Sequence, residues 1–132
     1  MVNIDLIRQL LDCYDSTQTE CDGLTRICST VLNKHDIPHQ PMAGTLTFEG
    51  YTFPIHLWIN LSNGFTIDYR ARMWLGNDET IPHGIFKPSD YPNVIYEGEP
   101  IELEPLPQVL FDVLCLNISD FQLKEIPNEY ST

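Results

Sequence analysis

Apolar positions recur with a helical period at the start of the chain, where Leu6, Ile7, Leu10, Leu11 and Tyr14 share one face over residues 4–14. A polar DSTQTE segment follows. Leu24, Ile27, Cys28, Val31 and Leu32 then repeat the stripe, which predicts a second helix starting near Cys21. Two caps suit that start: Thr19 with Asp22, or Thr17 with Glu20 in a T-x-x-E box. Either places Cys21 in the first turn. The helix is expected to end between Asn33 and His35, because Ile37-Pro38 cannot continue it.

From Pro41 the period changes to two. Met42, Gly44, Leu46 and Phe48 alternate with polar or small neighbours, Glu49-Gly50 supplies a turn, and Phe53, Ile55, Leu57, Ile59 and Leu61 form one face of a long second strand. A Ser62-Asn63-Gly64 loop leads to Phe65, Ile67 and Tyr69 on a third strand, completing an antiparallel meander. Residues 72–105 are punctuated by Pro82, Pro88, Pro92, Pro100 and Pro105 and by Gly76, Gly84 and Gly98. They predict irregular chain, with short strands at Val94 to Tyr96 and at Ile101 to Leu103. Pro107 suits the first turn of a helix through VLFDVLCL. The pattern as a whole predicts one α+β domain over residues 1–132, with N-terminal helices packed on an antiparallel β-sheet.

Composition agrees with one core: 132 residues at 42% hydrophobic content are too few for two ordinary domains. Seven Lys and Arg against nineteen Asp and Glu give a net charge of -12, which repels a phosphate backbone and an anionic membrane surface. Nucleic acid and membrane are therefore not expected partners. No run approaches the roughly 20 apolar residues of a membrane span, and MVNIDLIRQLL has an acid in its apolar run and no basic leader. A cytoplasmic location is the expectation. Cys13, Cys21, Cys28 and Cys115 are expected as reduced thiols. With no C-x2-C spacing and no histidines completing a zinc pattern, neither metal nor cofactor is expected.

The chemistry gathers at three residues. The first turn of a helix favours a thiolate, since its unpaired N–H groups and the helix dipole attract negative charge, and Cys21 is placed there. Cys28, two turns further in, reads as core. Strand parity puts His56 with Trp58 and Asn60 on the face opposite Ile59, and puts Asp68 and Arg70 on that same face. If the Ser62–Gly64 loop sets the register, Leu61 pairs with Phe65, Trp58 with Asp68 and His56 with Arg70. Asp68 is then the diagonal neighbour of His56. A carboxylate on one imidazole nitrogen fixes the tautomer and leaves the other nitrogen for a thiol, as thiol acyl chemistry requires.

In that order, CDGLTRICSTVLNKHDIPHQPMAG, HLWINL and GFTIDYRA resemble the transglutaminase-like superfamily: a cysteine opening a helix, an H-x-W strand, and a strand ending in Asp. The resemblance covers residues 17–75. It implies a papain-like core in which Cys21 attacks a carbonyl, His56 acts as general base and acid, and Asp68 orients His56. The implied substrate is a protein or peptide amide, and the implied outcome is glutamine deamidation or amide hydrolysis through a Cys21 thioester. The stretch IDYRARMWLG looks most like bacterial papain-fold deamidase-type domains. Acyl transfer of the transglutaminase or arylamine N-acetyltransferase kind is one alternative, although Q-T-E-C stands where the acetyltransferases usually carry R-G-G-x-C. A non-catalytic protein-binding module on the same fold is another. Glu20, before the nucleophile, departs from the small residue of many relatives. Gln18 is a candidate second oxyanion donor beside the Cys21 N–H, or a plain helix-entry residue. Trp58 and His83 are candidates for the substrate cleft, and Trp74, Phe86, Tyr91 and Tyr96 for an aromatic wall. His35 and His39 are expected at the surface.

Overall fold

The computed structural model describes residues 3–116. The first stripe forms α1 (Ile4–Leu11), capped by Asn3, whose Oδ1 accepts the Leu6 N–H at 3.2 Å. Ile7 and Leu11 are buried by it. The helix stops short of Tyr14: Asp12–Ser16 tighten into a 3-10 turn, and Tyr14 packs edge-on against Phe111 instead.

The second helix, α2 (Cys21–Lys34), starts and ends where the stripe does. Neither expected cap is used. The Thr17 hydroxyl donates to the Tyr14 carbonyl at 2.8 Å and lies 2.7 Å from the Thr19 hydroxyl, while Glu20 occupies the cap position without a side-chain bond. His39 departs from the surface expectation. Its Nδ1 donates to the Ile37 carbonyl at 2.8 Å and its Nε2 accepts from Ser29 Oγ at 2.8 Å, which ties the first strand to α2.

Five antiparallel strands lie in the order β4-β3-β2-β1-β5: β1 (His39–Phe48), β2 (Tyr51–Leu61), β3 (Thr66–Asp68), β4 (Gly84–Phe86) and β5 (Val94–Pro100). The three-residue loop sets the expected register, with Ile59 opposite Ile67, Asn60 opposite Thr66, and the Leu61 N–H on the Phe65 carbonyl at 2.8 Å. The expected irregular stretch nevertheless contains a short helix, α3 (Ala71–Leu75), and β4, whose three residues are all buried and carry no alternation to read. The Ile101 N–H bonds the Pro41 carbonyl at 3.0 Å, but Ile101 to Leu103 form no strand. The last helix, α4 (Gln108–Leu114), begins one residue after Pro107, which takes the cap position rather than the first turn.

One feature of β2 overturns its expected parity. Gly44 of β1 faces His56 and Leu46 faces Phe53, so one intervening residue on β1 opposes two, Pro54 and Ile55, on β2. This bulge turns the strand by one position. Phe53 therefore joins the face that carries His56, and Ile55 is 70% exposed instead of lining the helix side with Ile59.

The sheet divides two apolar clusters. Ile7, Leu11, Leu24, Ile27, Val31, Leu32, Ile59, Leu61, Ile67 and Ile85 pack between helices and sheet. Leu46, Ala71, Ile81 and Val94, with Phe48, Phe53, Leu75 and Tyr96 against them, form the second cluster. Gly44 and Gly98 face each other across β1 and β5, and a Cβ on Gly44 would stand 2.0 Å from the Glu97 carbonyl oxygen. Gly44→Ala is expected to push β5 outward and to destabilise the fold by about 1–3 kcal/mol, measured by thermal unfolding. Among the described residues no helix is long and apolar enough to cross a membrane.

Candidate active site

The β2–β3 ladder ends at Ile59 and Ile67, one residue before Trp58 and Asp68. The start of α2 meets the sheet there, and Cys21, Ile59, Ile67 and Asp68 border one small cavity of about 10 Å³, room for about one water. Cys21 is 8% exposed, Asp68 4% and His56 fully buried. The three sequence-derived residues are thus brought together, and they are closed from solvent.

Asp68 is the most fully bonded of them. Its Oδ2 accepts from His56 Nε2 at 2.6 Å and from the Tyr96 hydroxyl at 2.7 Å, and its Oδ1 accepts the Arg70 N–H at 2.9 Å. Burial and the neighbouring Asp68 carboxylate push the Tyr96 phenol above its ordinary range, so it remains a donor. With Nε2 committed to Asp68, Nδ1 is the ring nitrogen left for Cys21; it is buried and makes no hydrogen bond of regular geometry among the described residues. Burial alone would lower the His56 pKa, but the hydrogen bond to Asp68, then the interaction with the Cys21 thiol, outweighs it and holds the ring up to about 9.

Aromatic rings surround the imidazole. Trp58, 2% exposed, stacks on it with centroids 6.1 Å apart, and Tyr96 packs on Trp58 at 5.0 Å. Phe53 meets His56 edge-on at 6.5 Å and itself stacks on Trp74 of α3 at 4.2 Å. Trp74 Nε1 is buried without a partner among the described residues. Phe86 lies 6.0 Å from Tyr96 and 5.5 Å from Tyr91, so the four further aromatics of the expected wall are all in contact with this cluster or with one another.

Gln18 and His83 lie elsewhere. Both line an open groove of about 580 Å³ on the outer side of the 15–20 segment, together with Glu20, Arg70, Met73 and Asn77. Gln18 is exposed there and does not border the Cys21 cavity. His83 bonds Asp15 through Nε2 at 2.8 Å and meets Tyr69 edge-on. Cys28 is fully buried in the core, and burial drives its thiol well above the ordinary range. Among the described residues no three His, Cys, Asp or Glu side chains converge as metal ligands.

Two contributors escaped sequence reading. Tyr96 stood out only as one of several aromatics, and nothing local marks it as a donor to Asp68. Asp15 sits in a polar connecting segment and acquires its role through Arg70, 55 positions away. Comparison with known protein families, with curated proteins and with solved structures finds no match to this chain.

Proposed function

We propose that this protein is a thiol-dependent acyl-transfer enzyme acting on a protein or peptide amide, with Cys21 as nucleophile, His56 as proton carrier and Asp68 as orienting acid. One observation carries the reading: a buried imidazole bonded through Nε2 to a carboxylate, with Nδ1 left for a thiol at a helix start. A ring held up to about 9 carries its proton at neutral pH, which suits it to face a thiolate.

The steps follow from that pairing. Cys21 Sγ⁻ attacks the amide carbonyl carbon, and the carbonyl π electrons move to oxygen. Collapse of the tetrahedral adduct breaks the C–N bond, His56 gives its proton to the departing nitrogen, and a Cys21 thioester remains. Water, losing a proton to His56, then releases the acid and regenerates the thiolate–imidazolium pair. A glutamine side chain would leave as ammonia and a peptide bond as an amine. The resemblance to papain-like deamidase and peptidase domains supports this outcome. Because Cys21 is 8% exposed and the adjoining groove reaches only to Thr19 and Glu20, turnover on this reading includes an opening step.

The burial of Cys21 also favours a second reading, a protein-binding module in which the three residues are a structural tie. Iodoacetamide labelling in a Cys13→Ser, Cys115→Ser background separates the two. The enzyme reading expects Cys21 to be alkylated well below pH 8.5, about the value of a free thiol, at a rate that falls in His56→Ala. Labelling that rises only above that pH and ignores His56 would leave the binding module.

A further inference from the structure

We propose that Arg70 is a positioning residue that holds the Cys21 end of α2 against His56, by strapping the 15–19 segment to the strand end that carries Asp68. The inference rests on the catalytic reading for its importance to turnover, while its geometry stands on its own.

Apart from Arg70, the side-chain tie from elsewhere in the chain on the segment entering α2 is, among the described residues, the half-exposed His83, on Asp15 Oδ2 at 2.8 Å. Glu20 provides no side-chain cap, and the Thr17 and Thr19 hydroxyls bond each other rather than the helix. Arg70 supplies what is missing. Its Nε donates to the Thr19 carbonyl at 2.7 Å, its Nη2 to the Asp15 and Thr17 carbonyls at 2.8 and 3.2 Å, and its Nη1 to Asp15 Oδ1 at 2.6 Å and the Tyr69 carbonyl at 3.0 Å. A guanidinium has five N–H donors, and each has an acceptor here. Three of those acceptors are backbone oxygens in the residues just before Cys21.

The other end of the strap is equally specific. The Arg70 backbone N–H is bonded to Asp68 Oδ1, so one residue touches both the acid of the site and the chain leading to its nucleophile. Arg70 is 7% exposed, and Asp15 is its only carboxylate partner among the described residues. Lysine cannot replace it, since an ammonium has three donors and no planar fork to span separate carbonyls.

The test is a cycle read on the His56 ring by NMR titration, in the parent, Cys21→Ser, Arg70→Lys and the double variant. Cys21→Ser is expected to lower the His56 pKa from about 9, because the thiol helps to raise it. If Arg70 holds Cys21 in place, Arg70→Lys lowers it in the same direction, and the double variant falls no further than the larger single change. Amide turnover in Arg70→Lys drops about tenfold or more in kcat with KM little changed, as expected for a misplaced nucleophile.

Additive shifts, or a folded Arg70→Lys protein whose His56 titrates as in the parent, would overturn the proposal. Should Arg70→Lys not fold, Asp15→Asn removes the counter-charge and keeps the three segment carbonyls. A smaller shift in the same direction supports the strap, and an unchanged His56 refutes it. A non-additive cycle in a parent with no amide activity would sink the catalytic reading and still support the strap.

Discussion

A Cys21→Ser protein is expected to cleave a glutamine-containing peptide at least about 1,000-fold more slowly than the parent, while unfolding within about 3 °C of it. The loss is large because a serine hydroxyl is not ionised at neutral pH and needs a base to take its proton as it attacks, whereas the parent ring, held up to about 9, carries its proton and can stand beside a thiolate. Stability changes little because the substitution trades one small side chain for another beside a cavity of about 10 Å³. Initial rates of ammonia or amine release, with a thermal melt of the same samples, measure both. A serine variant retaining a tenth of the parent rate would argue that the thiol is not the nucleophile.

The second large effect is on stability and runs with pH. Burial opposes the His56 charge, but Asp68 and Cys21 raise its pKa from 6.5 to about 9 in the folded chain. The stabilisation from this raised pKa is fully present below about pH 6.5 and is lost as pH rises through about 9. The difference across that window is on the order of 3 kcal/mol, or about 10 °C in unfolding midpoint for a chain of this size. Asp68→Asn should remove most of that slope. It should also lower stability at pH 6 by about 3 kcal/mol, because one amide cannot accept all three bonds that the two carboxylate oxygens take from His56, Tyr96 and Arg70. Chemical denaturation at several pH values reads both numbers. A parent equally stable at pH 6 and pH 9.5 would mean that the ring is not charged in the folded state.

The meeting of His56 and Asp68 was legible because it depends on short-range rules. A three-residue loop fixed the register between β2 and β3, and parity put both side chains on one face. The start of α2 was equally readable from its stripe. Other features are set by contacts far apart in the chain. Arg70 finds its carbonyls more than fifty positions upstream, Tyr96 reaches Asp68 from the opposite edge of the sheet, and β4 is too short and too buried to show a period. The caps failed for a related reason. Thr17 and Thr19 looked like helix starters, but the entry to α2 is tied by a guanidinium that no local motif announces.

The extra residue in β2 gives that strand a tolerance that its side chains alone would not suggest. Losing one codon at Pro54 or Ile55 would leave a single residue opposite Thr45 and restore equal spacing, with Gly44 still facing His56 and Leu46 still facing Phe53. Phe53 and His56 would then stand two positions apart and share a face by ordinary alternation, so Trp74 would keep the ring on which it stacks and His56 that wall of its enclosure. The bulge is a spare position: β2 can shorten there by one residue without exchanging inside for outside, and the chamber around the imidazole keeps its shape.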